Sequence, residues 1–215
     1  MGTLASHHTG LKSEETSVLM KRRVLTLIEM LNRHLHIGES TGHYRSETSK
    51  FRHLLNVYCK GNGIDIGCGG DPIGPSAITI DLETPYAVTG NHPLNLGGDA
   101  RNLYWFKDAC LDYVYSSHLL EDFEEKESVL REWIRVLRSG GYLVLLLPDE
   151  KRYREYCTMR RLARNPSHKD AEFSLDGLKK VLVAMNLQII AEFPRLMYER
   201  EGSDYNFAVV ARKDR

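Results

Sequence analysis

The residues best suited to chemistry lie in Gly63-Ile64-Asp65-Ile66-Gly67-Cys68-Gly69-Gly70, followed at a short distance by Ala77-Ile78-Thr79-Ile80-Asp81. The pattern reads as a buried strand, a glycine-rich turn, then a second strand that ends in an acid. Glycines let a backbone come close to a ligand. A carboxylate at the end of the next strand can accept hydrogen bonds from both hydroxyls of a ribose. The expected ligand is therefore an adenosine-type cofactor.

These residues must be positioned by a body in which helices and strands alternate. Strands are predicted over residues 64–66, 77–81, 95–99, 111–116 and 142–147, with a helix over residues 124–138. In that helix Val129, Trp133, Ile134 and Leu137 share one face, and Ser139-Gly140-Gly141 ends it. The run from Tyr142 to Leu147 is apolar throughout, as expected of a strand buried on both faces. Ser174 caps a further helix to about Met185, and residues 187–193 and 205–211 read as two final strands. Such alternation predicts a parallel sheet with covering helices. The fold class expected is α/β, a Rossmann-like doubly wound, mostly parallel sheet with an antiparallel last strand, preceded by N-terminal helices.

Residues 1–12 read as a disordered tail, and residues 13–60 as a helical lid made of one helix up to Gly38 and a second over residues 46–58. Residues 61–215 form the main domain, with a charged, Tyr- and Arg-rich insert at about residues 149–172.

Bulk properties narrow the class. A chain of 215 residues is long enough for one complete α/β domain. Its 29 Lys and Arg balance 29 Asp and Glu, so no global charge pulls it toward nucleic acid or a membrane. Cys59, Cys68, Cys110 and Cys157 have no paired spacing, so no zinc site or disulfide framework is expected. Free thiols suit a reducing compartment, and a cytoplasmic location is expected. No apolar run reaches membrane-spanning length, and the first ten residues have no apolar signal-peptide core.

The glycine stretch resembles the first motif of class I S-adenosylmethionine (SAM)-dependent methyltransferases, of the type 11-like family. Asp81 matches that family's ribose-binding acid, and Gly98-Asp99-Ala100 resembles its Gly-Asp-Ala, whose acid lies by the adenine amino group. The segment from Leu111 through Ser116-Ser117-His118-Leu119-Leu120-Glu121-Asp122 resembles the fourth motif. Glu132-Trp133-Ile134-Arg135-Val136-Leu137-Arg138-Ser139-Gly140-Gly141 resembles the helix end that follows it. The resemblance covers roughly residues 61–148, in the family's order. One departure stands out. Asp71 and Pro72 occupy the place of a third glycine and the start of a helix, and Pro72, Gly74 and Pro75 would break one. The first covering helix is expected to be a turn or absent.

The resemblance implies SAM as cofactor, with Asp65, Gly67, Cys68, Gly69, Asp81, Leu82, Asp99, Ala100 and Ser116 around it. Asp65 can hold the cationic amino group or pin the glycine turn. Asp99 can serve adenine or a turn, and Leu82 and Leu103 can sandwich adenine or be ordinary core. Ligands bind off the carboxyl ends of parallel strands, which puts Ser116, Ser117 and His118 near the transferred methyl group. His118 is the candidate general base, or else a histidine that anchors its loop. The acceptor side is expected to include Ser117, His118, Asp149, Arg152, Tyr153, Tyr156 and His168. His168 is a second base, a polar contact or a solvated loop residue, and no ligand spacing supports a metal. Tyr44, Arg45 and Arg52 could close over the cofactor.

A nicotinamide dehydrogenase also uses glycines and a strand-two acid. Here Pro72 takes the place of the last glycine, and no long helix offers its N-terminus to a pyrophosphate, whereas SAM carries no phosphate. The expected function is methyl transfer to an O or N nucleophile of a small molecule, of the secondary-metabolite or sugar type, by a monomer or homodimer. The alternative is a non-catalytic SAM-binding partner or regulator.

Overall fold

A computed structural model describes residues 45–85 and 88–214. The helix expected before Gly38, the tail and Tyr44 lie outside the described residues.

The elements are α1 (Glu47–Leu55), β1 (Gly63–Ile66), β2 (Ile78–Asp81), β3 (Leu96–Gly97), β4 (Leu111–Ser117), α2 (Lys126–Val136), β5 (Leu137–Pro148), α3 (Glu150–Arg160), α4 (Leu175–Ala184), β6 (Leu187–Tyr198) and β7 (Ser203–Lys213). They build one seven-stranded sheet in the order β3-β2-β1-β4-β5-β7-β6. The pairs from β3 to β5 are parallel, and β7 runs antiparallel to both β5 and β6. This is the mostly parallel sheet with an antiparallel last strand that the sequence predicts.

Alternation along the central strands divides two cores. Val114, Leu143, Leu145, Phe207 and Val209 face one side, where Leu130 and Trp133 of α2 and Leu178 and Leu182 of α4 cover them. Tyr113, Tyr115, Val144, Leu146, Ala208 and Val210 face the other side, under Phe51 and Leu55 of α1 and under Ile73 and Ala77. The second core is thinner because the connection from β1 to β2 contains no helix. Ile73 and Ala77 plug that face from turns instead. The missing first helix is what Pro72, Gly74 and Pro75 dictate.

Several boundaries differ from expectation. The helix predicted to Arg138 stops at Val136, because Leu137 pairs with Leu111 and begins β5. The third strand shrinks to Leu96–Gly97, and Gly98 beyond it lies close against the Trp105 ring. The final strands are longer than predicted and join as one hairpin. The insert after Pro148 is partly helical. Asp149 accepts the N–H of Arg152 and starts α3, and Arg161, with φ of 56°, stops it in the left-handed conformation.

Trp133 is fully buried, and its indole N–H donates to the Ala100 carbonyl at 2.8 Å. Trp133→Phe is expected to lower unfolding free energy by about 2 kcal/mol, from the lost hydrogen bond and the lost ring volume. A chemical-denaturation midpoint equal to wild type would show that Trp133 does not tie residue 100 to α2.

Candidate functional site

The register of the sheet places the predicted residues in one row. Ile80, Ile66, Ser116 and Leu145 are aligned neighbours on β2, β1, β4 and β5. The residues just beyond them, Asp81, Gly67 and Ser117, therefore share the carboxyl edge of the parallel strands.

The turn after β1 follows from its glycines. Gly67, Gly69 and Gly70 have φ of 74°, 55° and 78°, a region closed to most side chains. The Gly69 N–H donates to Asp81 Oδ2 at 2.9 Å, and Asp81 Oδ1 accepts the N–H of Leu82 at 2.8 Å. The carboxylate at the end of β2 thus holds the turn at the end of β1. A strap over residues 88–92 closes another side. Thr89 and Gly90 N–H donate to the Gly69 carbonyl, and His92 N–H to that of Gly70. The approach is so close that a Cβ on Gly90 would lie 2.1 Å from the Gly70 carbonyl oxygen.

Asp65 is buried beneath the turn, and its Oδ2 accepts the Ile73 N–H at 2.6 Å. Burial pushes its carboxyl up to about 7, against the pull of that hydrogen bond and of Arg52. Cys68 is buried, and burial raises its thiol to about 11, so it stays protonated. Leu82 is largely exposed. The Asp99 carboxylate is gripped in bidentate fashion by Arg101, which holds it below the usual carboxylate range. The carbonyl of buried Ala100 accepts from Trp133. The Ser116 hydroxyl is buried and donates to the Ile66 carbonyl, so it ties β4 to β1. Leu103, one of the two leucines considered for adenine, lies wholly in the first core.

His118 and His168, both expected on the acceptor side, are drawn into one polar cluster. His118 has φ of 51° and its Nε2 lies 2.8 Å from Asn206 Oδ1. Asn206 donates its amino group to Glu47 Oε2 at 2.8 Å, and Glu47 also accepts from Tyr205 and Lys50. Burial would raise the Glu47 carboxyl, but the Lys50 ammonium and the Asn206 amide help hold it below its ordinary value. An ionised carboxylate only accepts. The Asn206 amide must therefore point its nitrogen at Glu47 and its oxygen at His118, and His118 Nε2 must carry the ring proton. Burial lowers the His118 pKa and favours the neutral ring. Its Nδ1 faces Glu121 Oε1 at 3.6 Å. Glu121 is buried, and burial raises its carboxyl well above the ordinary value, favouring the neutral acid.

Of the three readings of His168, the solvated loop residue does not hold. Its ring is 6% exposed, Nδ1 lies 2.8 Å from Glu150 Oε2, and Nε2 lies 3.8 Å from Glu121 Oε1. Tyr153 packs on His168 with ring centroids 4.8 Å apart, and Tyr153 and Tyr156 both pack on Tyr205. Asp149 serves as the cap of α3, and Arg152 donates to the Pro194 carbonyl. Ser117 stands half-buried at the end of β4. Among the described residues no cluster of three or more His, Cys, Asp or Glu forms a metal site.

Sequence reasoning passed over Glu47, Lys50, Asn206 and the strap at Thr89 and Gly90. Asn206 carried a signal, a lone amide before the apolar run Phe207-Ala208-Val209-Val210. The others depend on long-range contacts that no local pattern encodes.

Residues 64–145 match the family described as a methyltransferase domain. That match, taken with the fold, supports a class I SAM-dependent methyltransferase. Ajmaline N-methyltransferase of Rauvolfia serpentina is 30% identical over 107 residues, which cover 45% of this chain and 36% of that protein. The matched segment thus spans about a third of that relative's length. Among solved structures, a SAM-dependent methyltransferase of Thermotoga maritima, described as a possible histamine N-methyltransferase, superposes with a TM-score of 0.61 at 20% identity, covering 79% of this chain and 88% of that one. A SAM-dependent methyltransferase of Archaeoglobus fulgidus gives 0.60 at 17% identity, covering 77% and 92%. At these identities the structures speak for the fold. Family and fold imply SAM as the cofactor, and the residues at the turn fit it. Asp81 offers a carboxylate at the end of β2, the positive-φ glycines bring bare backbone to the turn, and Asp71-Pro72 replaces the helix that a pyrophosphate would require.

The Asp65 carboxyl gives a pH test. Its folded pKa of about 7 lies above the unfolded value near 4. Folding therefore takes up a proton between those values, so this group's contribution to stability falls as pH rises from about 4 to about 7 and is constant beyond. Asp65→Asn keeps an oxygen for the Ile73 N–H. It is expected to flatten that slope and to raise stability near pH 8 by about 2–4 kcal/mol. Parallel stability profiles for wild type and variant would mean that Asp65 titrates like an exposed acid.

Proposed function

We propose that the protein transfers the methyl group of SAM to a nitrogen or oxygen nucleophile of a small molecule. The observation that carries this reading is the Asp81 carboxylate joined to a glycine-rich, positive-φ turn at the carboxyl edge of the sheet. SAM supplies an activated methyl group on a sulfonium centre, so the protein has to orient a nucleophile in line with it and exclude water.

In this reading Asp81 receives the ribose hydroxyls, the backbone of residues 67–69 lies along the methionine portion, and Asp65 faces its amino group. Asp99 serves the adenine end, and Arg101 holds its carboxylate in the acceptor form. Ser117 and the cluster of Tyr153, Tyr156 and Tyr205 form the acceptor wall. The His118 ring is neutral, but both nitrogens face protein groups. His118 is therefore assigned as a positioning residue that fixes the end of β4 to β7, and the acceptor reaches the site in its nucleophilic form. Nitrogen is favoured over oxygen because the matched plant relative is an N-methyltransferase. We place the protein in the cytoplasm, as a monomer or homodimer with no nucleic-acid partner. Its charges balance, and no helix among the described residues is long and apolar enough to cross a membrane.

Calorimetric titration with SAM, S-adenosylhomocysteine and NAD tests the cofactor. Both adenosyl ligands should bind and NAD should not, and Asp81→Asn should weaken binding by about tenfold or more. Binding of NAD, or adenosyl binding indifferent to Asp81→Asn, contradicts the assignment. Methyl transfer to any member of a panel of small amines and phenols then separates an enzyme from a non-catalytic SAM-binding protein.

A further inference from the structure

In place of the absent first helix, the glycine turn is braced by α1. The Asp71 N–H closes the turn on the Cys68 carbonyl at 2.9 Å, and its side chain points to α1. There the Ser46 hydroxyl and the Arg52 guanidinium both donate to the Asp71 carboxylate. Arg52 Nε donates to the next carbonyl, that of Pro72, at 3.2 Å. One guanidinium fork thus reads both the side chain and the backbone that follow the turn. The Ser46 hydroxyl has a second task. It accepts the Ser49 N–H at 2.9 Å and caps α1. Cap and clamp are the same hydroxyl.

The same first turn of α1 also reaches the acceptor side. Glu47 holds Asn206 and Tyr205 on β7, and Thr48 hydrogen-bonds the Tyr115 hydroxyl on β4 at 3.1 Å. Lys50 is buried and bridges Glu47 at 2.8 Å and Glu201 at 2.5 Å. A short stretch of helix is therefore fixed both to the turn and to the strand ends where the acceptor would sit.

We propose that Asp71 is a positioning residue that makes the first turn of α1 part of the cofactor site, so that cofactor binding and the docking of α1 strengthen each other. The inference rests on the reading that SAM binds at the glycine turn. It goes beyond that reading because Asp71 touches α1 rather than the cofactor. Coupling of this kind is reciprocal. Whatever orders the turn orders α1, and whatever frees α1 loosens the turn.

The test pairs calorimetry with hydrogen exchange on the whole chain, using S-adenosylhomocysteine as the probe. In wild type the ligand should slow exchange of amides in residues 47–55. Arg52→Met and Asp71→Ala should each bind it roughly five- to tenfold more weakly and lose the ligand-induced slowing. The charge swap Arg52→Asp with Asp71→Arg should recover part of both. A merely structural role would speed exchange of α1 without ligand but leave the ligand-induced change intact. Arg52→Met carries the test alone if Asp71→Ala does not fold. Wild-type affinity in the variants, or undiminished slowing, overturns the coupling alone. Absence of any wild-type binding overturns the cofactor reading and the coupling with it.

Discussion

One carboxylate sets the geometry of the site. Asp81 accepts the backbone N–H of Gly69 and of Leu82, and so fixes the ends of β1 and β2 relative to each other. A parallel pair joined without a crossover helix has few ways to hold its connection. Its backbone groups must find partners close at hand. Here they find Asp81, Asp65 through the Ile73 N–H, and the strap from Thr89 to His92. Each partner either is an acid or lies against a glycine, and Leu119 packs so closely on Gly67 that a side chain there would collide with it.

The other half of the site is organised by buried charge. An isolated buried ion is costly, and a paired one is tolerated when its hydrogen bonds are met. Lys50 lies between Glu47 and Glu201, and Glu47 also receives Tyr205 and Asn206. The Asn206 amide passes that order on to His118 by fixing which ring nitrogen carries the proton. Glu121, between two imidazoles, avoids a buried charge by the rise of its pKa. The network joins α1, β4 and β7 through directional contacts, which an apolar contact of the same size would not specify.

Much of this was legible in the sequence because local rules were obeyed. The apolar run from Tyr142 to Leu147 became the doubly buried β5, Ser174 became a helix cap, and Pro72 with Gly74 and Pro75 forbade the first helix. Asp81 could be singled out because its position at the end of a strand after a glycine turn carries its meaning. His168 could not be read in the same way. Its burial depends on Glu150 and Glu121, which lie on separate elements and meet it only in the folded chain. The role of α1 was hidden for the same reason. Ser46, Glu47, Thr48 and Lys50 look like an ordinary solvated first turn, yet each has a partner far along the chain. Arg52 was suspected of closing over the cofactor, and its partner proved to be Asp71.

The most direct test of the central claim, that the turn held by Asp81 is the seat of the cofactor, is a crystal structure of the whole chain grown with S-adenosylhomocysteine. The account predicts ribose hydroxyls on the Asp81 carboxylate and the amino-acid end of the ligand along residues 67–69. An adenosyl group bound elsewhere, or a ribose turned away from Asp81, would contradict it.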